Sequence, residues 1–457
     1  MRTSPRTGRA WPAEDRVEPV GLTDTNRAPL GAHGRKADVN DILEELRWRG
    51  LIAQSTDESA LADALASGPV TYYCGFDPTG PSLHHGHLVQ LVLLRHLQLA
   101  GHRALALVGG ATGMIGDPQM SGERTLNDKA LVGQWSDRLK SQISRFLDFE
   151  GDNPATMVNN LDWTAPLTAI DFLRDIGKHY RLGTMLSKDT VARRLNSDVG
   201  ISFTEFSYQI LQGMDFLELH RRQGCTLQTG GNDQWGNLLS GVELIRKVEG
   251  ESVHVLTTPL ITKADGTKFG KTEGGAVWLA PDMMSPYAFF QFWLNTDDAD
   301  VSGYLKVFTF LSRERIGELE ESVAARPAAR EAQRELAREV STMVHGREAT
   351  ARVEAASAAL FGRGDLHELD ERTLADAVAE VPRGQVTPGE STIVDALVAT
   401  GLVNGRNAAR RTVAEGGAYL NNVKVTDDER VLSEADLLAG GVALIRRGRR
   451  TLAVVHT

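Results

Sequence analysis

Cysteine is almost absent: Cys74 and Cys225 are the two thiols in 457 residues. Two thiols cannot build a disulfide framework, and they suit a reducing compartment such as the cytoplasm. No apolar run approaches the ~20 residues of a membrane span, so no membrane association is expected. Positive charge is not in excess either. Fifty basic side chains against sixty acidic ones leave a net charge of -10. That excludes a uniformly basic nucleic-acid binder but leaves room for a local basic patch. What remains is 41% apolar and 24% charged residues, an ordinary soluble balance with length for two or three domains.

Residues 1–37 mix charge, proline and glycine without apolar periodicity and are expected to be a disordered extension. They lack the apolar core of a secretory signal, and Glu14, Asp15, Glu18 and Asp24 argue against an organelle transit peptide. Helical periodicity begins at "DILEELRWRGLI". "PVTYYCGF" then reads as a buried strand, "LVQLVLLRHLQLAG" as a helix closed by Gly101, and "RALALVGG" as a second strand. Strand, helix and strand at this spacing form a crossover unit of a parallel sheet, whose ligands sit beyond the carboxyl ends of the strands. "CTLQTGGNDQWGN" and "VHVLTTPLIT" supply further strands. From about 285 the pattern is helical, 381–390 reads as a linker with proline and glycine, and a small α+β unit fills 391–457.

The loops are richer than a bare sheet needs. "DPTGPSLHHGH" places His84 and His87 three residues apart at the mouth of a helix, where unpaired backbone N–H groups favour an anion. Gly86 between them allows a flat ligand to approach the backbone. A zinc site built on His84, His85 and His87 is the competing reading. Zinc takes about four ligands, usually including cysteine, and Cys74 lies upstream on the strand. Further on, "KFGKT" sets Lys268 and Lys271 on either side of Gly270, with Thr272 next, and two such lysines can swing onto a phosphate chain. In "SYQILQGMD", Tyr208, Gln212 and Asp215 fall at i, i+4 and i+7, on one helix face. A polar surface stripe would show the same spacing.

"HHGH" and "KFGKT" resemble the two signatures of class I aminoacyl-tRNA synthetases. "YCGFDPTGPSLHHGH", "GGATGMIGDP", "FTEFSYQILQGMDF" and "GGNDQWGN" are similar, in order and spacing, to the bacterial tyrosyl-tRNA synthetase family. The resemblance runs from about residue 38 to the C-terminus. It implies an α/β fold: a Rossmann-like parallel-sheet catalytic domain over 38–284, an α-helical tRNA-binding domain over 285–380, and a small α+β RNA-binding domain of the small-subunit ribosomal type over 391–457. It implies activation of L-tyrosine with ATP to tyrosyl-adenylate, transfer to tRNA(Tyr), Mg2+ accompanying ATP, no resident cofactor or metal, and a homodimer with "ISFTEF" near the interface.

Site roles follow from the same resemblance. His84 and Thr79 would contact the outer phosphates, with His87 nearer the ribose. Lys268 and Lys271, followed by Thr272, would clamp the departing pyrophosphate. Tyr73 and Asp215 would meet the substrate's phenol hydroxyl, one donating and one accepting. Asp117, Tyr208 and Gln212 would surround its ammonium group, and Gln234 its carboxylate. Gly231 and Asp233 would lie by the adenosine ribose, with Asp77, Gly86 and Arg124 also on the ATP side. The family's loop after Asp117 often carries a lysine before "ERTL". Here "GDPQMSGERTL" has none, leaving Arg124 as the loop's cation.

The C-terminal "NGRNAARRTVAEGGAYLNNVKV" reads as a helix bearing Arg406, Arg410 and Arg411, stopped by Gly416 and Gly417. "VALIRRGRRTLAVV" adds four arginines on a hairpin. Such a cluster on one unit of an acidic chain suggests a phosphate-binding face, although a solvated charged face looks alike. Other classes fit less of the chain. "GGATGMIG" lacks G-x-G-x-x-G spacing and an obvious ribose-binding acid, against a dinucleotide oxidoreductase. A small nucleotidyltransferase leaves the arginine-rich end unexplained. A non-catalytic tRNA binder has no use for the pocket residues, and the tryptophanyl sibling family has no need of a hydroxyl-reading pair.

Overall fold

A computed structural model describes residues 42–457 apart from 120, 121, 123–125, 199, 268, 273, 274, 361, 363, 380, 449 and 450. The N-terminal extension, Arg124 and Lys268 therefore lie outside the described residues. Six strands make the first sheet: β1 (Gln54–Ser55), β2 (Thr71–Phe76), β3 (Arg103–Val108), β4 (Thr156–Asn159), β5 (Cys225–Gly231) and β6 (His254–Thr258). Their order is β1-β6-β5-β2-β3-β4. The β1–β6 pair is antiparallel, and the other neighbours are parallel.

Strict alternation explains why both faces of this sheet are covered. Tyr72, Cys74 and Phe76 of β2 join Ala104, Ala106 and Val108 of β3 in one core cluster, with the crossover helix His85–Leu99 above them. Tyr73, Leu105 and Leu107 point the other way, into a second cluster with Met214, Phe216 and Leu217 of the helix Phe203–Gln223. Successive side chains of a strand alternate faces, so a near-continuous apolar run is what a doubly covered parallel strand requires. Connections leave β2 toward β3 on one side, while β5 pairs with its other side. The crevice between β2 and β5 is thus the switch point where open α/β sheets bind ligands.

Past a short hairpin of β7 (Lys271–Thr272) and β8 (Gly275–Ala276), the chain is helical: Pro286–Leu294, Asp298–Phe308, Arg313–Ala325, Glu331–His345 and Arg347–Leu360. Phe289, Trp293, Leu305 and Phe308 belong to the same core cluster as the crossover helix, so this region packs directly on the sheet layer. A second sheet closes the chain, with β9 (Arg383–Gln385), β10 (Ala418–Leu420), β11 (Val423–Val425), β12 (Val442–Arg447) and β13 (Thr451–His456) in the order β11-β10-β12-β13-β9.

Here the structure corrects one expectation. Residues 381–390 are not simply a linker, because β9 runs parallel to β13 and is the edge of the C-terminal sheet. Three residues are too few to show a period, which hid the strand. Gly384 fits there because a Cβ would press on the backbone of Ala399 and Thr400 at 2.7–2.9 Å. The C-terminal sheet is also tied to the helical region. Asn421 and Asn422 form the tight turn between β10 and β11 in the left-handed region, at φ 48° and 67°, a conformation asparagine tolerates. Asn422 Nδ2 donates to the Ala359 carbonyl at 2.7 Å, and Leu360, Leu374, Leu444 and Val454 pack together beneath it.

One buried ion pair braces the loop after Asp117. Arg194 and Glu205 are each 2% exposed and meet at 2.8 Å. The guanidinium also donates to the carbonyls of Gln119, Gly122 and Gly200. Removing the cation strands a buried carboxylate and frees three carbonyls, so Arg194→Ala is expected to cost about 3–5 kcal/mol. The check is the urea midpoint of the catalytic region, with Glu205→Gln expected to cost less. An unshifted midpoint for Arg194→Ala contradicts the bracing role.

Candidate active site

The histidine turn is built by a helix cap made of imidazoles. His84 is the N-cap of His85–Leu99, and its Nδ1 accepts the Gly86 N–H at 3.1 Å. His87 Nδ1 accepts the His84 N–H, also at 3.1 Å. Each ring thereby satisfies a backbone donor that a helix start otherwise leaves orphaned. The two rings lie 4.0 Å apart between centroids. Burial holds both below the usual histidine range, and for His87 the neighbouring His84 and His85 add to it. Both rings are therefore neutral near pH 7. With Nδ1 committed as an acceptor, the proton sits on Nε2, which is left to donate.

A cleft of about 980 Å3 opens along the carboxyl ends of β2 and β5. The structure brings Tyr73, Asp77, Thr79, His84, Gly86, His87, Asp117, Tyr208, Gln212, Asp215, Gly231, Asp233 and Gln234 to its walls. The face carrying Tyr208, Gln212 and Asp215 is consequently a pocket wall and not a surface stripe: Asp215 is 1% exposed and Tyr208 7%. Lys271 and Thr272 begin the hairpin next to Phe269, itself a lining residue. Among the described residues no three His, Cys, Asp or Glu side chains are grouped so that they could hold a metal ion.

At the deep end, Asp215 is held from two sides. Asn160 Nδ2 donates to one oxygen at 2.9 Å and Trp163 Nε1 to the other at 2.8 Å. Burial pushes its carboxyl up to about 7, although the Asn160 and Trp163 bonds oppose the shift. Tyr73, packed on Phe216 at 5.3 Å, is also buried, and its hydroxyl has no hydrogen-bond partner among the described residues. Desolvation first, then the Asp215 charge, hold that hydroxyl firmly protonated. A buried hydroxyl without a partner costs about 1–3 kcal/mol, and here it stands beside a carboxylate.

Toward the mouth, Asp77 accepts from Tyr208 Oη and from Thr112 Oγ1, both at 2.6 Å. Gly109 must lack a side chain because a Cβ there would overlap the Asp77 carboxylate. The glycines of "GGATG" therefore serve close packing between loops. Asp117 accepts from Asn237 Nδ2 at 3.0 Å and from Gln234 Nε2 at 3.3 Å, while Lys188 Nζ donates to Asn237 at 2.7 Å. Burial lowers Lys188 to about 8 against the pull of Asp117. Sequence reading missed Asn160, Trp163, Thr112, Asn237, Lys188 and the lining role of Cys74. Asn160 and Trp163 sit three apart after β4, which a helical-spacing search could have flagged. Nothing local marks Lys188.

The C-terminal arginines are placed unevenly. Arg406, Arg410 and Arg411 are exposed on the helix Arg406–Ala414. Arg406 pairs with Asp395 at 2.9 Å and Arg410 with Asp428 at 3.3 Å. Of the hairpin arginines, Arg446 is buried, with Nε bonded to Asn422 Oδ1 at 2.9 Å, and Arg447 donates to the Leu402 carbonyl. Those two hold the fold, and Arg449 and Arg450 lie outside the described residues.

Residues 65–362 match the family described as tRNA synthetases class I (W and Y), and residues 373–455 match the tyrosine–tRNA ligase SYY-like C-terminal domain. Tyrosine–tRNA ligase of Streptomyces griseus subsp. griseus is 62% identical over 419 residues, covering 92% of this chain and 99% of that protein. The Leifsonia xyli subsp. xyli enzyme of the same name is 60% identical over 427 residues, covering 93% and 96%. Among solved structures, a C-terminally truncated mitochondrial tyrosyl-tRNA synthetase of Aspergillus nidulans superposes with a TM-score of 0.62 at 30% identity, over 68% of this chain and 92% of that one. With its switch-point cleft, its histidine cap and both halves matched, this chain belongs to the bacterial tyrosine–tRNA ligases of the class I tRNA synthetase family.

Proposed function

We propose residue roles for the tyrosine–tRNA ligase reaction that family membership assigns to this chain. One observation carries the reading of the pocket: the buried Tyr73 hydroxyl has no partner among the described residues, and it feels the charge of buried Asp215 in the same cleft. A substrate phenol hydroxyl there accepts from Tyr73, which gives that hydroxyl its partner, and donates to Asp215 as a third hydrogen bond. Phenylalanine leaves the Tyr73 hydroxyl without a partner and offers Asp215 no donor beyond Asn160 and Trp163, and that asymmetry is the basis of discrimination. Rejection of phenylalanine by this same enzyme family is the standing example of that rule. The substrate ammonium then lies toward Asp117, Tyr208 and Gln212, and its carboxylate toward Gln234.

No protein nucleophile is required. The tyrosine carboxylate attacks the α-phosphorus of ATP, the bond to the bridging oxygen breaks, and pyrophosphate leaves with that electron pair. The protein's work is to position the two reactants and to meet growing charge with fixed donors. In this proposal the Nε2–H groups of His84 and His87 face the ATP side, with Thr79, Asp77, Gly86, Gly231 and Asp233 around the nucleotide. Lys268, Lys271, Thr272 and Arg124 meet the leaving pyrophosphate. Mg2+ travels with ATP on phosphate oxygens and water. A hydroxyl of the terminal ribose of tRNA(Tyr) then attacks the adenylate's carbonyl carbon, the acyl–phosphate bond breaks, and AMP leaves with that electron pair while the hydroxyl proton is lost.

We divide the chain into catalytic (38–284), helical (285–380) and RNA-binding (391–457) parts, with Arg406, Arg410 and Arg411 as phosphate contacts. A homodimer is supported by the exposed apolar side chains Ile170, Leu173, Leu182 and Phe203, the last within "ISFTEF". Among the described residues no helix is long and apolar enough to cross a membrane, and we place the reaction in the cytoplasm.

Three measurements test these roles. Tyr73→Phe removes a hydroxyl that only the substrate satisfies. It is expected to weaken tyrosine binding about 3- to 10-fold, the worth of one hydrogen bond, with an unchanged or higher melting temperature. Equal loss for tyrosine and phenylalanine would contradict the assignment.

The second uses pH. Unfolded, Asp215 releases its proton near 3.8, while the folded carboxyl keeps it to about 7. Between these values folding takes up a proton, so this group's contribution to stability falls as pH rises from about 4 to 7. Asp215→Asn cannot titrate. Its melting temperature relative to the parent should therefore rise between pH 5 and pH 7.5, and a constant difference would refute the raised carboxyl.

The third concerns RNA. Arg406→Ala, Arg410→Ala and Arg411→Ala together should leave ATP–pyrophosphate exchange intact and weaken tRNA binding. The log–log salt slope should shrink by about 0.7–0.9 per lost phosphate contact. An unaltered slope would remove these arginines from the interface.

A further inference from the structure

The second residue of the histidine turn, His85, has no place in the roles above, yet it is half-buried and points away from the helix cap into the lysine loop. Its ring meets Phe269 edge-on, with centroids 5.2 Å apart and planes at 89°. It also sits on Gly270, whose φ of +77° is in the left-handed region. A Cβ on Gly270 would overlap the His85 ring. Gly270 is thus glycine for two reasons, its backbone conformation and the ring that occupies its side-chain space.

The surroundings make this contact a fixed point. Phe269 is 5% exposed and anchored among Phe292, Trp293, Tyr304 and Phe308 of the helical region, at centroid distances of 4.6–5.7 Å. Beyond the loop, the chain returns to the histidine turn. The His85 N–H donates to the Val277 carbonyl and the Leu279 N–H to the Leu83 carbonyl, each at 2.9 Å, while Trp278 bridges to His84. Burial first, then the charge of His84, lower His85 to about 4, although the nearby backbone of Phe269 and Val277 favours its protonated form. The ring is neutral and stays packed across the working pH range.

We propose that His85 is a positioning residue for adenylate formation: its ring seats Phe269–Gly270 as a fixed pivot between Lys268 and Lys271. Phe269 and Gly270 are thereby held against the histidine turn. Because Phe269 is rooted in the helical region, the pivot couples that region to the histidine turn through packing. The proposal rests on the reading that the lysine loop serves adenylate formation.

The test is a pair of substitutions whose effects must not add. Gly270→Ala drives a methyl into the ring and should slow single-turnover tyrosyl-adenylate formation about 100-fold, the order of loss that a displacement of about 1 Å can cause. His85→Ala alone should slow it about 10-fold, on the same geometric argument, with tyrosine affinity unchanged. In the double variant the overlap is gone and only backbone strain remains, so it should be faster than Gly270→Ala alone. His85→Phe, which restores a ring, should recover most of the rate lost in His85→Ala. Trypsin cleavage in the loop should quicken in His85→Ala at an unchanged melting temperature. Additive losses in the double variant, or an equal loss of tyrosine affinity, would overturn the pivot. Lys271→Ala separates the two levels: if it forms adenylate normally, the role of the loop itself falls and the pivot with it. If it is slow while the double variant is additive, only the His85 assignment falls.

Discussion

His84 and His87 each spend one ring nitrogen on the backbone at the start of the crossover helix. That constraint decides the chemistry available at the turn. An imidazole whose Nδ1 accepts a backbone N–H can be neutral only with its proton on Nε2, so the cap selects the tautomer and the direction of donation. Burial keeps the rings uncharged. A fixed neutral donor suits a phosphate chain whose charge shifts during reaction, because it needs no reorganisation when that shift occurs. Serine or aspartate would cap the helix equally well but could not reach outward with an N–H.

The hydroxyl pocket works on the opposite principle. There a tyrosine hydroxyl has no partner among the described residues, and a carboxyl is buried enough to hold its proton to about 7. Both conditions oppose stability near neutral pH, and the proposed ligand brings one hydroxyl that can pair with each group. Asn160 and Trp163 matter because they keep Asp215 in one orientation before that ligand arrives. In the roles proposed above, specificity is stored as local instability in a pocket whose Tyr73 belongs to one well-packed core cluster and whose neighbour Cys74 belongs to the other.

Much of this was legible in the chain itself. The crossover unit was visible because a doubly covered strand and a buried helix produce long apolar runs broken by glycine. The pocket face of Tyr208, Gln212 and Asp215 followed from helical spacing, and the motif loops from their order. What escaped was non-local. β9 is three residues long and exists because β13 offers it an edge. Lys188 reaches the Asp117 network from the bend that precedes a short helix, far away in sequence, through Asn237. Arg446 and Arg447 look like RNA contacts by residue type, yet one is buried against Asn422 and the other bonded to a backbone carbonyl.

The sequence by itself determined the element types, the strand that bears the pocket tyrosine, the histidine cap's spacing and the family. These depend on period, turn residues and local hydrogen bonding, which act within a few residues of each other. Only the tertiary structure decided which carboxylate would be raised, which hydroxyl would lack a partner and which arginines remain exposed. It also brought the His85 ring onto Gly270, a residue far along the chain. Burial and electrostatic environment are sums over neighbours that the chain brings together only on folding, and no local pattern encodes them.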